Sequence, residues 1–477
     1  MKRFAVLLAL AALLAGCARI QPGGAELPTL TVMVLGGSSQ DALARISDAV
    51  SEITRKKIGC TIQFEQSGRG EYEAALNEKA LGDELPDVFA MPNQETLLQF
   101  VRNGKCRNLE AYLRGDSAWE TLIDEENWKT AEIDGLRYAI PFNNDRTHCY
   151  GFLMRGDICK ALGADVQQIT DLNALHELLV QVKEAYPQLY PIVPQYNELT
   201  MSPAWDDMGD GLGVLVYRDG GVSDAIELSV ATPEFYAWCS AMYQWNREGL
   251  VMPDASFNTE PRLALFASGQ AFGAFCNLTA YSVGDHAFHL GEEIVAVRLS
   301  GYRDDCNESR QSFCVSQNSQ YPELCMDFLK LLYQDEDVLN LCIYGQEGID
   351  HTMSPEGVIQ PAPEGEVAQY TIAGYCWPNR RNAAPMGGAQ ETGVDANEQE
   401  LRSPAVGFAF DKTPVQSKME VCLSIVERYR PGLLAGELSP DETIPIMLAQ
   451  LKDAGIDDVI REKQRQYDAW RGEQLVE

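Results

Sequence analysis

Residues 134–154 read DGLRYAIPFNNDRTHCYGFLM, two apolar strands on either side of a polar joint. The pattern predicts a first strand over Leu136–Ile140, which Pro141 ends because proline has no N–H to donate to a sheet. A second strand is predicted over Tyr150–Met154, after the polar run Asn143–Arg146. Such a joint fits a hinge between two lobes, or a plain strand–loop–strand within one sheet. We adopt the hinge and predict two lobes folded around a cleft.

The size and charge of the chain agree with this interpretation and exclude one class of partner. Its 477 residues are too many for a single hydrophobic core and predict two large lobes. The 38 basic residues against 70 acidic ones give a net charge of −32 at pH 7. Because nucleic-acid binding needs a basic face, we expect no nucleic-acid partner.

Strands and helices alternate before the joint. Apolar strands over Leu30–Leu35, Thr61–Phe64 and Val88–Met91 are separated by helices that begin at a capping Asp41 and near Glu71. This order is typical of an α/β sheet with parallel strands. Ligands of such sheets bind beyond the carboxyl ends of the strands, so we expect the loops after the first and third strands to border the cleft.

The segments after the joint predict a second lobe and a return to the first. They are a helix over Thr170–Tyr186, a strand over Tyr190–Val193, a helix over Thr232–Gly249, and strands over Ala271–Phe275 and Ile294–Leu299. We place the second crossing at the last of these strands. The expected division is residues 29–141 with 300–335 for the first lobe, and residues 148–298 with 336–477 for the second.

The amino terminus predicts export. An apolar run over Phe4–Leu14 follows two basic residues and is too short to cross a bilayer, which needs about 20 residues. It leads into LAGC, which ends at Cys17 and resembles the bacterial lipobox. That resemblance implies a signal peptide over residues 1–16, a lipidated Cys17, a tether over residues 17–28, and anchoring to the outer face of the cytoplasmic membrane. A cleaved signal peptide without lipidation is the alternative.

Twelve further cysteines are spread along the chain without a C-x-x-C pair. Several fall on apolar helix faces, and we expect Cys325, Cys342 and Cys422 to be small buried hydrophobic residues. Cys306 and Cys314 are the pair to test first for a disulfide.

The order of several motifs resembles the family-1 extracellular solute-binding proteins of bacterial ABC importers. The motifs are TLTVMVLGG at 29–37, GRGEYEAALNEKALGDELPDVF at 68–89, MYQWNREGLVMPD at 242–254, FASGQAFGAF at 266–275 and YGQEG at 344–348. Two C-terminal runs, SPAVGFAFDKTPV at 403–415 and AGIDDVIREKQRQYDAW at 454–470, resemble one lipoprotein branch of that family. This branch carries a C-terminal domain of unknown function and usually serves carbohydrate importers.

The resemblance implies a fold and a function. The fold is α/β and periplasmic-binding-protein-like, of type II, with two α/β lobes around a hinged ligand cleft and a helical C-terminal extension. The function is capture of a small solute, a sugar or oligosaccharide, by lobe closure, with delivery to the permease subunits of an ABC importer by a monomeric protein. A binder of peptides or other charged solutes, and a surface glycosidase, are the alternatives.

Enzymatic and metal motifs were sought along the chain. G-x-S-x-G, Walker A and H-E-x-x-H patterns are absent from the sequence, which favours a binding protein over an enzyme. His286 and His289 have metal-like spacing that we interpret as incidental. Asp206 and Asp210 fit a calcium loop, but Met208 stands where a ligand is needed. No metal or cofactor is therefore expected.

Sugars bind by stacking on aromatic rings and by hydrogen bonding of their hydroxyls to planar amides and carboxylates. Residues of these types in the predicted cleft loops form the candidate site: Ser38, Gln40, Asp41, Asn93, Asn143, Asp145, Trp205, Asp206, Tyr281, Trp377, Asn379 and Arg380. Trp377 has two interpretations. Pro378 holds it extended, as suits a stacking platform in the second lobe, or it is a core tryptophan under the C-terminal helices.

Overall fold

The computed structural model describes most of the chain. The described residues are 27–68, 71–123, 125–143, 148–201, 204–218, 220–279, 282–290, 293–305, 311–360, 377–379, 382–385 and 401–474. Within these ranges no helix combines the length and the apolar character needed to cross a bilayer.

Eighteen strands lie in the described ranges. They are β1 Thr29–Leu35, β2 Thr61–Ser67, β3 Val88–Met91, β4 Glu132–Ile133, β5 Leu136–Arg137, β6 Ala139–Pro141, β7 Cys149–Arg155, β8 Tyr190–Ile192, β9 Trp205–Asp206, β10 Gly213–Arg218, β11 Gly221–Leu228, β12 Ala271–Leu278, β13 Ile294–Arg298, β14 Arg303–Asp304, β15 Ser312–Val315, β16 Thr352–Met353, β17 Ile359–Gln360 and β18 Leu401–Arg402.

Sixteen α-helices accompany these strands in the same part of the chain. They are α1 Gln40–Lys57, α2 Tyr72–Leu81, α3 Gln94–Arg102, α4 Glu110–Leu113, α5 Ser117–Leu122, α6 Glu125–Trp128, α7 Gly156–Leu162, α8 Leu172–Ala185, α9 Pro233–Arg247, α10 Arg262–Ala267, α11 Ser282–Leu290, α12 Pro322–Gln334, α13 Glu336–Tyr344, α14 Gln416–Leu434, α15 Pro440–Asp453 and α16 Ile456–Gln474.

The first lobe is built on a five-stranded sheet in the order β2-β1-β3-β15-β6. Strands β2, β1 and β3 run parallel, which confirms the predicted strand–helix alternation, and β15 is antiparallel to both of its neighbours. The strand predicted over Leu136–Ile140 is divided. Its first part is β5, which pairs with β4. Its second part is β6, which includes Pro141 and lies at the edge of the sheet, where the missing N–H of the proline breaks no hydrogen bond between strands.

The second lobe contains a four-stranded sheet in the order β13-β7-β12-β8 and a three-stranded sheet in the order β11-β10-β9. Strand β7 is antiparallel to β12 and β13, and β12 is parallel to β8. Strand β6 lies in the first sheet and β7 in the second, so the chain leaves the first sheet after Pro141 and enters the second at Cys149. The alternative of a strand–loop–strand within one sheet is wrong.

The segments that cross between the lobes are hydrogen-bonded to one another. His148 N–H donates to the carbonyl of Arg303 at 3.0 Å, and Arg303 N–H donates back at 2.8 Å. Strand β14 pairs in parallel with β18, which belongs to a third crossing that the sequence did not reveal. Since β13 pairs with β7, the strand predicted as the second crossing lies in the second lobe, and the crossing follows it.

Two large hydrophobic cores correct the predicted division of the chain. The first core includes Val338, Ile359 and Trp377, so the chain after residue 336 packs at first on the first lobe and not on the second. From Ala405 onward, buried residues join the second core. The apolar pattern of α13 shows that one face is buried, but it does not show which sheet it covers.

Two local predictions have different outcomes. Ser39, not Asp41, caps α1, and its Oγ accepts a hydrogen bond from Ala42 N–H at 3.2 Å. The predicted burial of the helix cysteines, among them Cys325, is confirmed. Cys314 is a buried free thiol, and Cys306 lies outside the described residues.

Candidate ligand-binding cleft

Both large sheets direct the carboxyl ends of their parallel strands toward the hinge. In the first sheet, Met91 at the end of β3 is opposite Ser312, which is in turn opposite Pro141 beside the first crossing. In the second sheet, Leu278 at the end of β12 is opposite Cys149, the first residue of β7 after the same crossing. The loops after β1, β3, β8 and β12 therefore lie at the sheet edges that border the cleft.

A cavity of about 660 Å³ opens at this edge of the second sheet. Its wall comes from the loop after β8, the loop around β9, the start of α9, the end of β12, the second crossing and α14. The lining residues are Gln195, Tyr196, Glu198, Thr200, Met201, Trp205, Asp207, Gly211, Ser229, Val230, Phe235, Asn277, Asp305 and Arg430. Its volume lies within the range of about 300–1,000 Å³ typical of small-molecule sites.

Aromatic rings in the cavity wall offer flat apolar faces. Trp205, predicted from the sequence, lines the cavity and is 9% exposed. Tyr196, which the sequence analysis did not select, is 50% exposed in the loop after β8 and has a positive φ of 54°. A non-glycine residue in that region is uncommon and marks a loop held by its surroundings. The side chain of Asn258 contributes by donating to the carbonyl of Tyr196 at 2.7 Å.

Asp206 does not line the cavity, contrary to the prediction. Its side chain is fully buried, and its carboxylate accepts from Met208 N–H at 3.0 Å. Neighbouring residues of a strand point to opposite faces, so Asp207 is the residue that reaches the cavity.

The candidates of the first lobe occupy three kinds of environment. Gln40 and Asp41 are exposed in the first turn of α1, at the cleft edge. Ser38 is buried, and its N–H donates to Gln66 Oε1 at 3.2 Å. Asn93 caps α3 by accepting from Thr96 N–H at 2.8 Å.

Asn143 holds the start of the first crossing. Its Nδ2 donates to the carbonyl of Leu122 at 2.7 Å, and its Oδ1 accepts from Asn127 at 3.1 Å. Asp145, Tyr281 and Arg380 lie outside the described residues.

Trp377 and Asn379, which the sequence analysis proposed as ligand contacts, are buried in the first lobe and do not line the cavity. Trp377 is completely buried, in the first lobe, with its ring edge-on to Phe64 at 5.6 Å between centroids. Asn379 is 4% exposed, and its Nδ2 donates to the carbonyl of Tyr333 at 2.6 Å. The short segment 377–379 closes the first core.

A buried polar cluster connects the cavity to the hinge. Asp305, which lines the cavity, accepts a hydrogen bond from the Tyr217 hydroxyl, and His148 Nε2 lies 3.3 Å from its second oxygen. The Arg303 guanidinium lies 4.6 Å from the centre of the Tyr217 ring. Burial raises the pKa of the Tyr217 phenol well above its usual value, and the charge of Asp305 adds to the shift. A solute in the cavity would therefore lie beside two crossing segments.

Two protein-family models match parts of this chain. The model of the bacterial extracellular solute-binding protein family matches residues 48–348, and that of a domain of unknown function, DUF3502, matches residues 404–472. A carbohydrate ABC transporter substrate-binding protein of Streptococcus pneumoniae serotype 4 is 21% identical over 447 residues, 91% of this chain and 89% of that protein.

Solved structures agree with the family models. An N-glycan transport solute-binding protein from Streptococcus pneumoniae has a TM-score of 0.79 at 20% identity, covering 93% of this chain and 98% of its own. Its complex with Man1GlcNAc scores 0.77 at 20% identity, covering 93% and 99%. An HMO-binding, ABC-transporter-associated solute-binding protein from Bifidobacterium longum infantis has a TM-score of 0.62 at 13% identity, covering 94% of this chain and 99% of its own. These likenesses show the fold, which is of the type II periplasmic-binding-protein kind with a helical C-terminal region. The chain belongs to the bacterial extracellular solute-binding proteins.

Proposed function

We propose that this protein captures a sugar or oligosaccharide between its lobes and delivers it to the permease of an ABC importer. The observation that carries the proposal is the cavity at the hinge edge of the second sheet. It combines the rings of Trp205 and Tyr196 with the planar polar side chains of Gln195, Asn277 and Asp305. The names of the relatives support the same class of solute.

The charges along the cavity favour an uncharged glycan over an acidic one. Glu198, Asp207 and Asp305 are carboxylates, and Arg430 is the one cation among the described lining residues. A uronate or sialate would bring a further negative charge next to these carboxylates, which costs free energy when water is excluded. A cationic peptide or another cationic solute is the second candidate, because the same carboxylates would attract it.

Calorimetry and thermal unfolding with a defined panel test the proposal. The panel consists of neutral oligosaccharides, the same oligosaccharides with uronate or sialate ends, and cationic peptides. A neutral glycan at about 100 times its Kd should stabilise the folded state by about 2.7 kcal/mol. Stabilisation by the peptides, with no heat of binding from any glycan, would establish the second candidate instead.

Binding without turnover distinguishes this function from that of a surface glycosidase. A glycosidase needs two carboxyl groups about 5–10 Å apart on either side of a glycosidic bond. We propose that a bound glycan is recovered intact after prolonged incubation, as judged by mass spectrometry. Release of shorter sugars would refute this part of the proposal.

We further propose that closure occurs about the crossing segments and that the protein acts as a monomer anchored through Cys17. The lobes that move consist of the described residues within 29–142 and 311–385, and of those within 148–299 and 404–474. Because hinges concentrate motion in a few residues between rigid bodies, saturating glycan should reduce the radius of gyration in solution scattering. An unchanged scattering profile at saturation would contradict closure.

A further inference from the structure

The C-terminal region, residues 404–472, packs into the hydrophobic core of the second lobe. Helices α14, α15 and α16 bury Met419, Cys422, Met447 and Tyr467 in the same hydrophobic core as the strands of that lobe. The region is therefore part of the lobe that carries the cavity, not a separate appendage.

One side chain of this region reaches the cavity directly. Arg430 projects from α14 into the lining, and its Nη2 lies 2.8 Å from Glu198 Oε1 in the loop after β8. The two side chains are 42% and 37% exposed, so both remain accessible at the cavity wall. Since a guanidinium carries five N–H donors, the ion pair with Glu198 does not use all of them, and the others could donate to sugar hydroxyls.

A second side chain of the C-terminal region, Lys463, binds the loop that follows β9. Lys463 of α16 lies 2.8 Å from Asp210, and its ammonium also donates to the carbonyls of Met208 and Gly213 at 3.2 and 2.8 Å. The side chains of the pair are 0% and 2% exposed. The acidic loop around β9 therefore has a cation supplied by its own chain. That loop carries Trp205 into the cavity wall.

We propose that the C-terminal region is part of the solute site, with Arg430 as a specificity-determining contact and Lys463 as a positioning residue for the loop that carries Trp205. This inference rests on the proposed function. It gives the region a role in selecting the solute: the helices supply one wall of the cavity and fix the shape of another. A neutral glycan hydroxyl is the group that Arg430 would recognise, because Glu198 already balances its charge.

Substitution of Arg430 tests the direct contact. R430Q replaces the charged guanidinium with a neutral amide. The matched control is R428Q on the same helix, since Arg428 is exposed and does not line the cavity. We expect R430Q to weaken binding of a neutral glycan at least tenfold in calorimetry, with the melting temperature unchanged. R428Q should bind like the unsubstituted protein.

The outcomes separate this inference from the proposed function. If the unsubstituted protein binds no neutral glycan, the proposed function and this inference both fail. If it binds one, and R430Q binds equally well, the proposed function stands and the role of Arg430 is refuted.

The positioning role of Lys463 needs a readout that a purely structural role would not change. K463M should weaken glycan binding at a temperature at which circular dichroism shows it fully folded, and K463R should restore part of the affinity. D210N, which keeps the size of the partner, is the second variant and should weaken binding in the same way. A lower melting temperature with unchanged affinity in both K463M and D210N would show that the pair only stabilises the fold.

Discussion

Trp377→Ala should unfold the first lobe at a markedly lower temperature and leave solute binding intact. The ring is completely buried, edge-on to Phe64 and tilted against Phe313 with centroids 6.4 Å apart. Removing a buried tryptophan costs about 3–5 kcal/mol, because the transfer free energy and the contacts around the cavity are both lost. At about 2–4 °C per kcal/mol for a lobe of this size, the melting temperature should fall by roughly 6–20 °C.

Circular dichroism and urea titration measure this loss, and calorimetry at low temperature measures binding by the protein that is still folded. Phe257→Ala is the matched control, because its ring is 79% exposed and its removal should change the free energy of unfolding by less than about 0.5 kcal/mol. Trp377→Phe should recover part of the lost stability.

The opposite pattern would refute the reasoning. If Trp377→Ala melted like the unsubstituted protein and bound its solute much more weakly, the ring would be a stacking platform and not a core side chain.

Three further predictions concern the anchor, the cavity and pH. Cys17→Ser should release the protein from membranes, as followed by fractionation and by mass spectrometry of the amino terminus. Trp205→Ala should weaken glycan binding by about 1–3 kcal/mol, a range taken from the stacking of nucleic-acid bases on aromatic side chains, as measured by calorimetry. Burial raises the pKa of the Cys239 and Cys325 thiols to about 12. Their contribution to stability is complete below the unfolded pKa of about 8.5 and falls by about 1.4 kcal/mol per pH unit for each thiol as the pH rises toward 12.

Each of these predictions has a contradicting result. An unmodified amino terminus other than Cys17 in the native protein would exclude the lipid anchor. Unchanged affinity of Trp205→Ala would remove this ring from the site. Melting temperatures that stay constant from pH 8 to pH 11 would show that the buried thiols are not linked to folding.

The architecture was predictable because local sequence patterns indicate its strands and helices. Apolar runs indicate the strands β1, β2 and β3, and the polar joint before Tyr150 indicates a break between strands. These signals depend on backbone geometry, which is the same for every sequence. The lobe on which α13 and Trp377 pack was not predictable in this way. The buried face of α13 is apolar in either lobe, and only the tertiary contacts of Val338 and Trp377 decide between them.

The site was only partly predictable. Trp205 reaches the cavity, but its neighbour Asp206 points into the core, because successive side chains of a strand point to opposite faces. Arg430 is distant in sequence from every other lining segment and resembles any helix arginine. Tyr196 could have been predicted from its position in the loop directly after an apolar strand, because ligands bind beyond the carboxyl ends of such strands.

The position of β15 between β3 and β6 has a consequence for how the chain is made. Until residues 312–315 have emerged from the ribosome, both neighbouring strands are open edges, which neither bury their hydrogen-bonding groups nor close the first sheet. Contacts between such distant segments form slowly, since the loop between them must close first. The first sheet of a nascent chain with this connectivity therefore stays incomplete until residue 315 has been made. That order makes β15, and not the strands made before it, the element that completes the first sheet.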